Sequence, residues 1–188
     1  MAKVVVTPET FTLVFYDAAR IAALAGDVAD RIGLPADAEL RVEVDERMPL
    51  GRVRVTSLAP ITVSIEGGAI EDAKHPRQLS ERGVLDVLGR TLRKVQDRLD
   101  PAFGEPPADD DLTLAQQVAW NAYAEGRNEA LGFEVQKQRW LYHFRNRHGF
   151  NDVADGVFNR LWEGDGLRWA DIEAACAATE AARDSAVA

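Results

Sequence analysis

The sequence predicts an α+β protein in which a helix, three strands and another helix are followed by a region made only of helices. Between residues 40 and 66, apolar residues alternate with polar ones, which is the period of a half-buried strand. Residues 112–183 instead show helical spacing, with glycines between four helical segments. We therefore expect an N-terminal helix, a three-stranded antiparallel meander and a helix, followed by a C-terminal four-helix region.

The first helix is predicted over residues 8–32, after a short strand-like run at Val4–Val6. Thr7 suits the N-cap, and Pro8 suits the first helical position because that residue needs no backbone donor. The apolar residues that follow keep a helical repeat as far as Ile32. Gly33 then predicts the end of the helix, because glycine readily adopts the left-handed conformation found there.

The three strands are predicted from their alternation. Their apolar positions are Leu40, Val42 and Val44, then Val53 and Val55, then Ile61, Val63 and Ile65. If the first two strands form a hairpin, Glu43 lies opposite Arg54 and Asp45 lies opposite Arg52. Val44 then meets Val53 on the inner face, so that the charges and the apolar residues select one register.

The chain changes character after a helix that Ser80 is predicted to cap and that ends at Leu99. Residues 100–111 contain three prolines, one glycine and five carboxylates, so we expect an exposed linker without regular structure beyond a turn. The helices expected beyond it span residues 112–131, 134–148, 152–162 and 169–182, with the tryptophans in their core. We expect residues 1–188 to form one domain, with subregions 1–99 and 112–183 on either side of the linker.

Composition narrows the class of protein. The 188 residues are 46% hydrophobic and contain no run of eighteen apolar residues, so we expect a soluble protein without a signal peptide or membrane span. A single cysteine, Cys176, fits a reducing cytoplasm. The 18 arginines against four lysines suggest a bacterial host with GC-rich codons. The net charge of -9 makes the protein acidic and disfavours a general nucleic-acid binder.

One positive segment stands out in this acidic chain. Residues 134–148 carry four basic residues against one acidic residue. Within it, Arg139, His143 and Arg147 are spaced four apart and share one side of the predicted helix, and we call them the cationic row. They are candidates for binding an anion or an acidic partner. The alternative is a solvated face that pairs with the protein's own carboxylates.

A second candidate cluster, Lys74, His75 and Arg77, lies on the predicted loop after Gly67 and Gly68. It is a possible contributor to anion or partner binding, and the alternative is a plain surface loop.

On the helix that starts at residue 112, Asn121 and Glu125 belong to a polar stripe that either lines a cleft or forms a solvated face. Cys176, between two alanines, is interpreted as a packed small residue.

No motif for a nucleophile, a phosphate loop or a dinucleotide fold is present, and His143 and His148 are five apart instead of the four typical of a metal-binding helix. We therefore expect no metal and no cofactor. The leading hypothesis is a cytoplasmic binding or assembly protein without catalytic activity, for which a homodimer is one expected form.

Two alternatives stay open. One is a small enzyme or anion-binding protein whose pocket lies between the sheet and helical halves and uses the cationic row with Glu125 or His75. The other is an RNA-binding accessory protein that uses the aromatic and basic helix, although the acidic background counts against it.

Overall fold

The computed structural model describes residues 2–187, with side chains described as far as Ser185. The chain divides into two compact units, residues 1–96 and 97–188, which we call unit 1 and unit 2. Unit 1 contains the strands and unit 2 contains four helices, so the predicted α+β class is confirmed. The expectation that the whole chain is one domain stays a prediction.

A four-stranded mixed sheet forms the centre of unit 1. Its strands are β1 at Lys3–Thr7, β2 at Glu39–Asp45, β3 at Val53–Leu58 and β4 at Ile61–Glu66, in the order β1-β2-β4-β3. β1 pairs with β2 in parallel, β2 pairs with β4 in parallel, and β3 pairs with β4 antiparallel. Helix α1 at Ala18–Ile32 connects the parallel pair β1 and β2, as a parallel connection requires.

The predicted meander is wrong in its strand order, because β4 lies between β2 and β3. The register places Val44 beside Ile65, which is beside Val53, and Ser64 separates Glu43 from Arg54. Burial explains this order. Placing β4 in the interior buries its apolar side chains, each worth about 1.5–3 kcal/mol, whereas a cross-strand charge pair contributes roughly 0.2–1 kcal/mol. The expected hairpin pairs of charges are therefore not cross-strand neighbours.

The predicted start of the first helix is also wrong, and its end is confirmed. Thr7 is the last residue of β1, where it pairs with Glu43, and residues 8–17 form a loop. The cap is Asp17, whose Oδ1 accepts hydrogen bonds from the backbone N–H groups of Ala19 (2.9 Å) and Arg20 (3.2 Å). At the other end Gly33 has φ 84°, and its N–H donates to the carbonyl oxygens of Ala29 and Asp30 in the last turn of the helix.

The predicted loop between residues 67 and 80 has structure of its own. A 3-10 turn at Gly67–Ile70 leads into a small hairpin of β5 at Glu71–Asp72 and β6 at His75–Leu79. Helix α2 follows at Glu81–Leu99. Ser80 caps it as predicted, since its Oγ accepts from the N–H of Gly83 at 3.0 Å.

Unit 2 contains the four predicted helices. They are α3 at Leu114–Ala130, α4 at Lys137–His148, α5 at Asp152–Glu163 and α6 at Trp169–Val187. Their core includes Trp120, Phe144, Phe158 and Trp162, and Trp169 is also buried. Trp140 packs against this core while partly exposed, so the tryptophans contribute to it as expected.

The predicted linker is less exposed than expected. Residues 100–111 form only turns, but the side chain of Phe103 is buried and stacks on Trp120, with ring centroids 5.6 Å apart. Asp109 pairs with Arg98 at 2.6 Å, and both side chains are largely buried. The expectation of an exposed segment is therefore wrong at these positions, because an aromatic ring and a charge partner hold them against the helices.

A buried ion pair also fixes the end of α2 to α3. The carboxylate of Asp97 accepts two hydrogen bonds from the Arg127 guanidinium, both at 2.7 Å, and one from Trp120 Nε1 at 2.7 Å. The guanidinium of Arg127 in turn lies 3.8 Å from the centre of the Tyr123 ring. Removing one charge of this buried ion pair would leave the other without a counter-charge.

No helix among the residues that the structure describes is long and apolar enough to cross a membrane.

Candidate functional site

The cationic row lies on the exposed side of α4. Arg139, His143 and Arg147 are all exposed, while Phe144 and His148 on the other side of the same helix are buried. The helical period of 3.6 residues produces this division, because positions four apart share one face. The row therefore lies on the side of α4 opposite the buried residues.

Two other cations of α4 are paired with carboxylates of unit 2. Lys137 Nζ lies 3.6 Å from a Glu163 oxygen, and Arg145 makes two hydrogen bonds to Asp155. The Arg145 guanidinium lowers the pKa of the Asp155 carboxyl, and the carboxyl raises the pKa of Arg145. In the described part of the chain, no side chain of the cationic row has an ion pair.

Two exposed aromatic rings lie beside the row. Tyr142 on α4 is 58% exposed and Phe150, just after the helix, is 65% exposed. Their ring centroids are 6.1 Å apart in an edge arrangement, and Tyr142 also contacts the His143 ring at 6.4 Å. We call Tyr142 and Phe150 the aromatic pair. Neither ring was predicted from the sequence as a site residue, although Tyr142 directly precedes His143 in the chain.

His148 has a different role from His143. Its ring is buried and stacks on Phe144 at 3.9 Å, with Nδ1 2.7 Å from Thr179 Oγ1 and Nε2 3.1 Å from the Ala115 carbonyl oxygen. Burial lowers the pKa of His148 to about 4, and the nearby Arg183 contributes to that lowering. A neutral ring that donates from Nε2 to Ala115 and accepts at Nδ1 from Thr179 satisfies both contacts.

A cavity of about 380 Å³ adjoins this histidine within unit 2, and its lining includes Arg147, Cys176 and Arg183. Burial, together with Glu173 and Glu180, raises the pKa of the Cys176 thiol to about 11. The thiol is therefore protonated near neutral pH and is a poor nucleophile. This agrees with its interpretation as a packed small residue.

The second predicted cluster lies on the β5–β6 hairpin of unit 1. Asp72 Oδ1 accepts hydrogen bonds from the backbone N–H groups of Lys74 (2.7 Å) and His75 (3.2 Å), and these bonds lower the pKa of the Asp72 carboxyl. Lys74 and His75 are exposed at this turn. Arg77 instead lines a cleft of about 520 Å³ in unit 1. Glu46 and Arg47 also line it, and neither was predicted from the sequence as a site residue.

The polar stripe of α3 is not a solvated face at its central positions. Glu125 is 3% exposed and Asn128 is 2% exposed, with Asn128 Nδ2 donating to a Glu125 oxygen at 3.4 Å. Asn121 is partly buried, and its Oδ1 has no hydrogen-bond partner among the described residues. A role for Asn121 and Glu125 in a cleft stays a prediction.

In the part of the chain that the structure describes, no group of three or more histidine, cysteine or acidic side chains is arranged to hold a metal ion. Comparison with protein-family models, with curated proteins and with solved structures finds no match for this chain.

Proposed function

We propose that this protein is a binding or assembly protein that recognises an acidic segment of a partner protein through the cationic row and the aromatic pair. The proposal rests on the difference between the cations of α4 that are paired with carboxylates and those that are not. The ion pairs of α4 involve Lys137 and Arg145, whereas the row of Arg139, His143 and Arg147 is exposed and carries no such partner in the described structure.

The spacing of the row suits a regular partner segment. At 1.5 Å per residue, positions four apart on α4 are separated by roughly 6 Å along the helix axis. Alternate residues of an extended strand are separated by roughly 6.6 Å, and residues four apart on a helix by roughly 6 Å. Arg139 and Arg147 are eight residues apart, roughly 12 Å along the axis, so they match carboxylates four residues apart on a strand, roughly 13 Å, or eight apart on a helix. Each guanidinium can hold one carboxylate through two parallel hydrogen bonds.

The aromatic pair supplies the apolar part of the contact. Tyr142 and Phe150 present large rings to solvent at the side of the row, and aromatic rings contribute strongly to protein interfaces. The row alone would attract many anions, since exposed charges act over distance and are screened by salt. The rings favour a partner in which apolar side chains alternate with carboxylates.

Charge favours an acidic protein segment over a nucleic acid. The chain has a net charge of -9, which repels a polyanion carrying a charge on every nucleotide. A short segment with two or three carboxylates meets less of this repulsion. The single Cys176 and the arginine-rich composition support the further expectation that the protein acts in a bacterial cytoplasm.

The test compares two charge-matched double variants of the full chain. R139Q/R147Q removes the guanidiniums of the row, whereas R160Q/R168Q removes two other exposed arginines of unit 2. The probes are a synthetic peptide that alternates glutamate with leucine and a single-stranded RNA of the same length, titrated at low and physiological salt. We expect the peptide affinity to fall roughly tenfold or more in R139Q/R147Q and to stay within about twofold in the control.

Three results would contradict the proposal. Equal losses in both variants would show that only overall charge matters, and tighter binding of RNA than of the peptide would support the nucleic-acid alternative. A loss of stability in R139Q/R147Q, with unchanged peptide binding, would show that the row is structural.

A further inference from the structure

The cleft in unit 1 has a construction that the proposed function does not use. Its volume is about 520 Å³, and its walls are formed by the loop at residues 12–16, the loop at residues 46–49, the turn at Gly67 and Gly68, and by Glu71 and Arg77. A volume of this size falls within the range of small-molecule sites. These segments are far apart in the sequence, and the fold brings them together.

Hydrogen bonds to Glu46 hold one wall in place. Its carboxylate accepts from the backbone N–H groups of Thr12 (2.9 Å) and Leu13 (2.7 Å) and from Thr12 Oγ1 (3.0 Å). These bonds lower the pKa of the Glu46 carboxyl, so it stays charged near neutral pH. Its lone pairs are thus used within the protein, and the loop is ordered before any ligand arrives.

The floor is a close contact between two backbone segments. A Cβ atom added at Gly68 would lie 2.0 Å from the Pro49 carbonyl oxygen, so only glycine fits there. The N–H of Gly68 donates to the Met48 carbonyl at 3.2 Å, and the hydroxyl of Tyr16 donates to the Gly67 carbonyl at 2.9 Å. Burial of this hydroxyl, together with the charge of Glu71, raises the pKa of Tyr16 to about 12.

Arg77 forms the remaining wall in an unusual conformation. It has φ 66°, in the left-handed region that a residue with a Cβ atom rarely adopts. Its N–H donates to Glu71 Oε1 at 2.6 Å, and its carbonyl accepts from the N–H of Phe15 at 2.7 Å. These two bonds hold the backbone of Arg77, and they occupy Glu71. Residues held in this way are concentrated at functional sites.

The groups of the cleft that have no partner are cationic and apolar. In the described structure, the guanidiniums of Arg47 and Arg77 take part in no hydrogen bond or ion pair, although the cleft contains two carboxylates. Leu13 and Met48 also line the cleft, and their side chains are 52% and 38% exposed. Hydrogen-bonded carboxylates and the buried Tyr16 hydroxyl therefore build the cleft, while guanidiniums and apolar side chains are free to meet a ligand.

We propose that this cleft binds a ligand that combines one carboxylate with an apolar body, the carboxylate meeting Arg47 and Arg77 and the body meeting Leu13 and Met48. Guanidinium groups match a carboxylate through paired hydrogen bonds. The charges of Glu46 and Glu71 balance those of the two arginines, so a dianion such as a phosphate monoester is held less well than a monoanion. Two sources share this chemistry, namely a fatty acid and the free C-terminus of an apolar peptide.

The experiment is calorimetric titration of the full chain. Octanoate is the main probe, octanol lacks the charge, acetate lacks the apolar body, and octyl phosphate carries the second charge. A short peptide that ends in leucine, and its C-terminal amide, form the second arm. We expect octanoate to bind at least tenfold more tightly than octanol, acetate or octyl phosphate.

Variants localise the binding. R47Q and R77Q should each weaken octanoate binding roughly tenfold, because each removes a charged donor. R52Q is the matched control, since Arg52 is an exposed arginine of unit 1 outside the cleft lining, and its affinity should stay within about twofold of the original. Thermal unfolding of every variant checks the fold, and R47K and R77K, which keep the charge, provide a second measurement should either glutamine variant unfold.

The outcomes separate the sources and can overturn the proposal. Tighter binding of the peptide acid than of octanoate, lost in the amide, identifies a protein C-terminus as the ligand, whereas the reverse identifies a fatty acid. Absence of binding by both acids, equal binding of octanol, preference for octyl phosphate, or unchanged binding in R47Q and R77Q would each overturn it.

Discussion

Acidification should destabilise unit 2 through His148. Burial lowers the pKa of this ring to about 4 in the folded state, against an ordinary value near 6.5 in the unfolded chain. Above pH 6.5 the ring is neutral in both states and its contribution to stability is complete. Between pH 6.5 and pH 4 the unfolded chain binds a proton that the folded ring does not, so the free energy of unfolding falls as the pH falls.

The size of this loss follows from the difference between the two pKa values. Each pKa unit corresponds to about 1.4 kcal/mol, so His148 should remove about 3 kcal/mol of stability by pH 4. That is a large part of the 5–15 kcal/mol typical of a small protein. The ring is 1% exposed, and this burial disfavours its charged form.

The assay is urea unfolding at several pH values between 7.5 and 4, followed by tryptophan fluorescence. All four tryptophans lie in residues 97–188, so the signal reports on unit 2. H148Q cannot take up the proton, and its free energy of unfolding should fall by about 3 kcal/mol less than that of the original protein over this range. H143Q is the matched control, because His143 lies on the same helix and is exposed, and the acid-linked loss should persist. Equal losses in H148Q and the original protein would refute the reasoning.

Two further substitutions test the packing of unit 2. G126A should lower the free energy of unfolding by about 3 kcal/mol, because the added Cβ would lie 1.9 Å from the Trp162 carbonyl oxygen. G156A, with no atom within 4 Å of the added Cβ on α5, should leave stability unchanged or raise it by about 0.5–1 kcal/mol, and equal effects of the two substitutions in urea unfolding would contradict this packing. D97N should cost about 3–5 kcal/mol, because it leaves the guanidinium on α3 without its buried counter-charge and weakens the bond from Trp120. A loss below about 1 kcal/mol in the same assay would show that this pair is hydrated.

Local signals predicted the helices well because the chemistry that starts and ends a helix lies within a few residues. Gly33 ends α1 in the left-handed conformation, and Ser80 caps α2, both as the sequence predicts. The same kind of signal failed at Thr7. There, pairing with Glu43 in a strand competes with capping, and the sheet determines the outcome.

The sequence by itself therefore determined the class, the four helices of unit 2 and the grouping of the cationic row on one side of a helix, since each depends on period and composition. Tertiary structure alone decided that β4 separates β2 from β3, because burial of a whole strand outweighs the complementarity of a few surface charges. It also decided which polar groups are free. The helical period places His143 and His148 on different sides of α4, but the groups that surround the buried His148 come from other helices. These groups, Ala115 and Thr179, lie far from His148 in the sequence, just as the residues that bind Glu46 in the unit 1 cleft lie far from Glu46. No local pattern encodes such contacts.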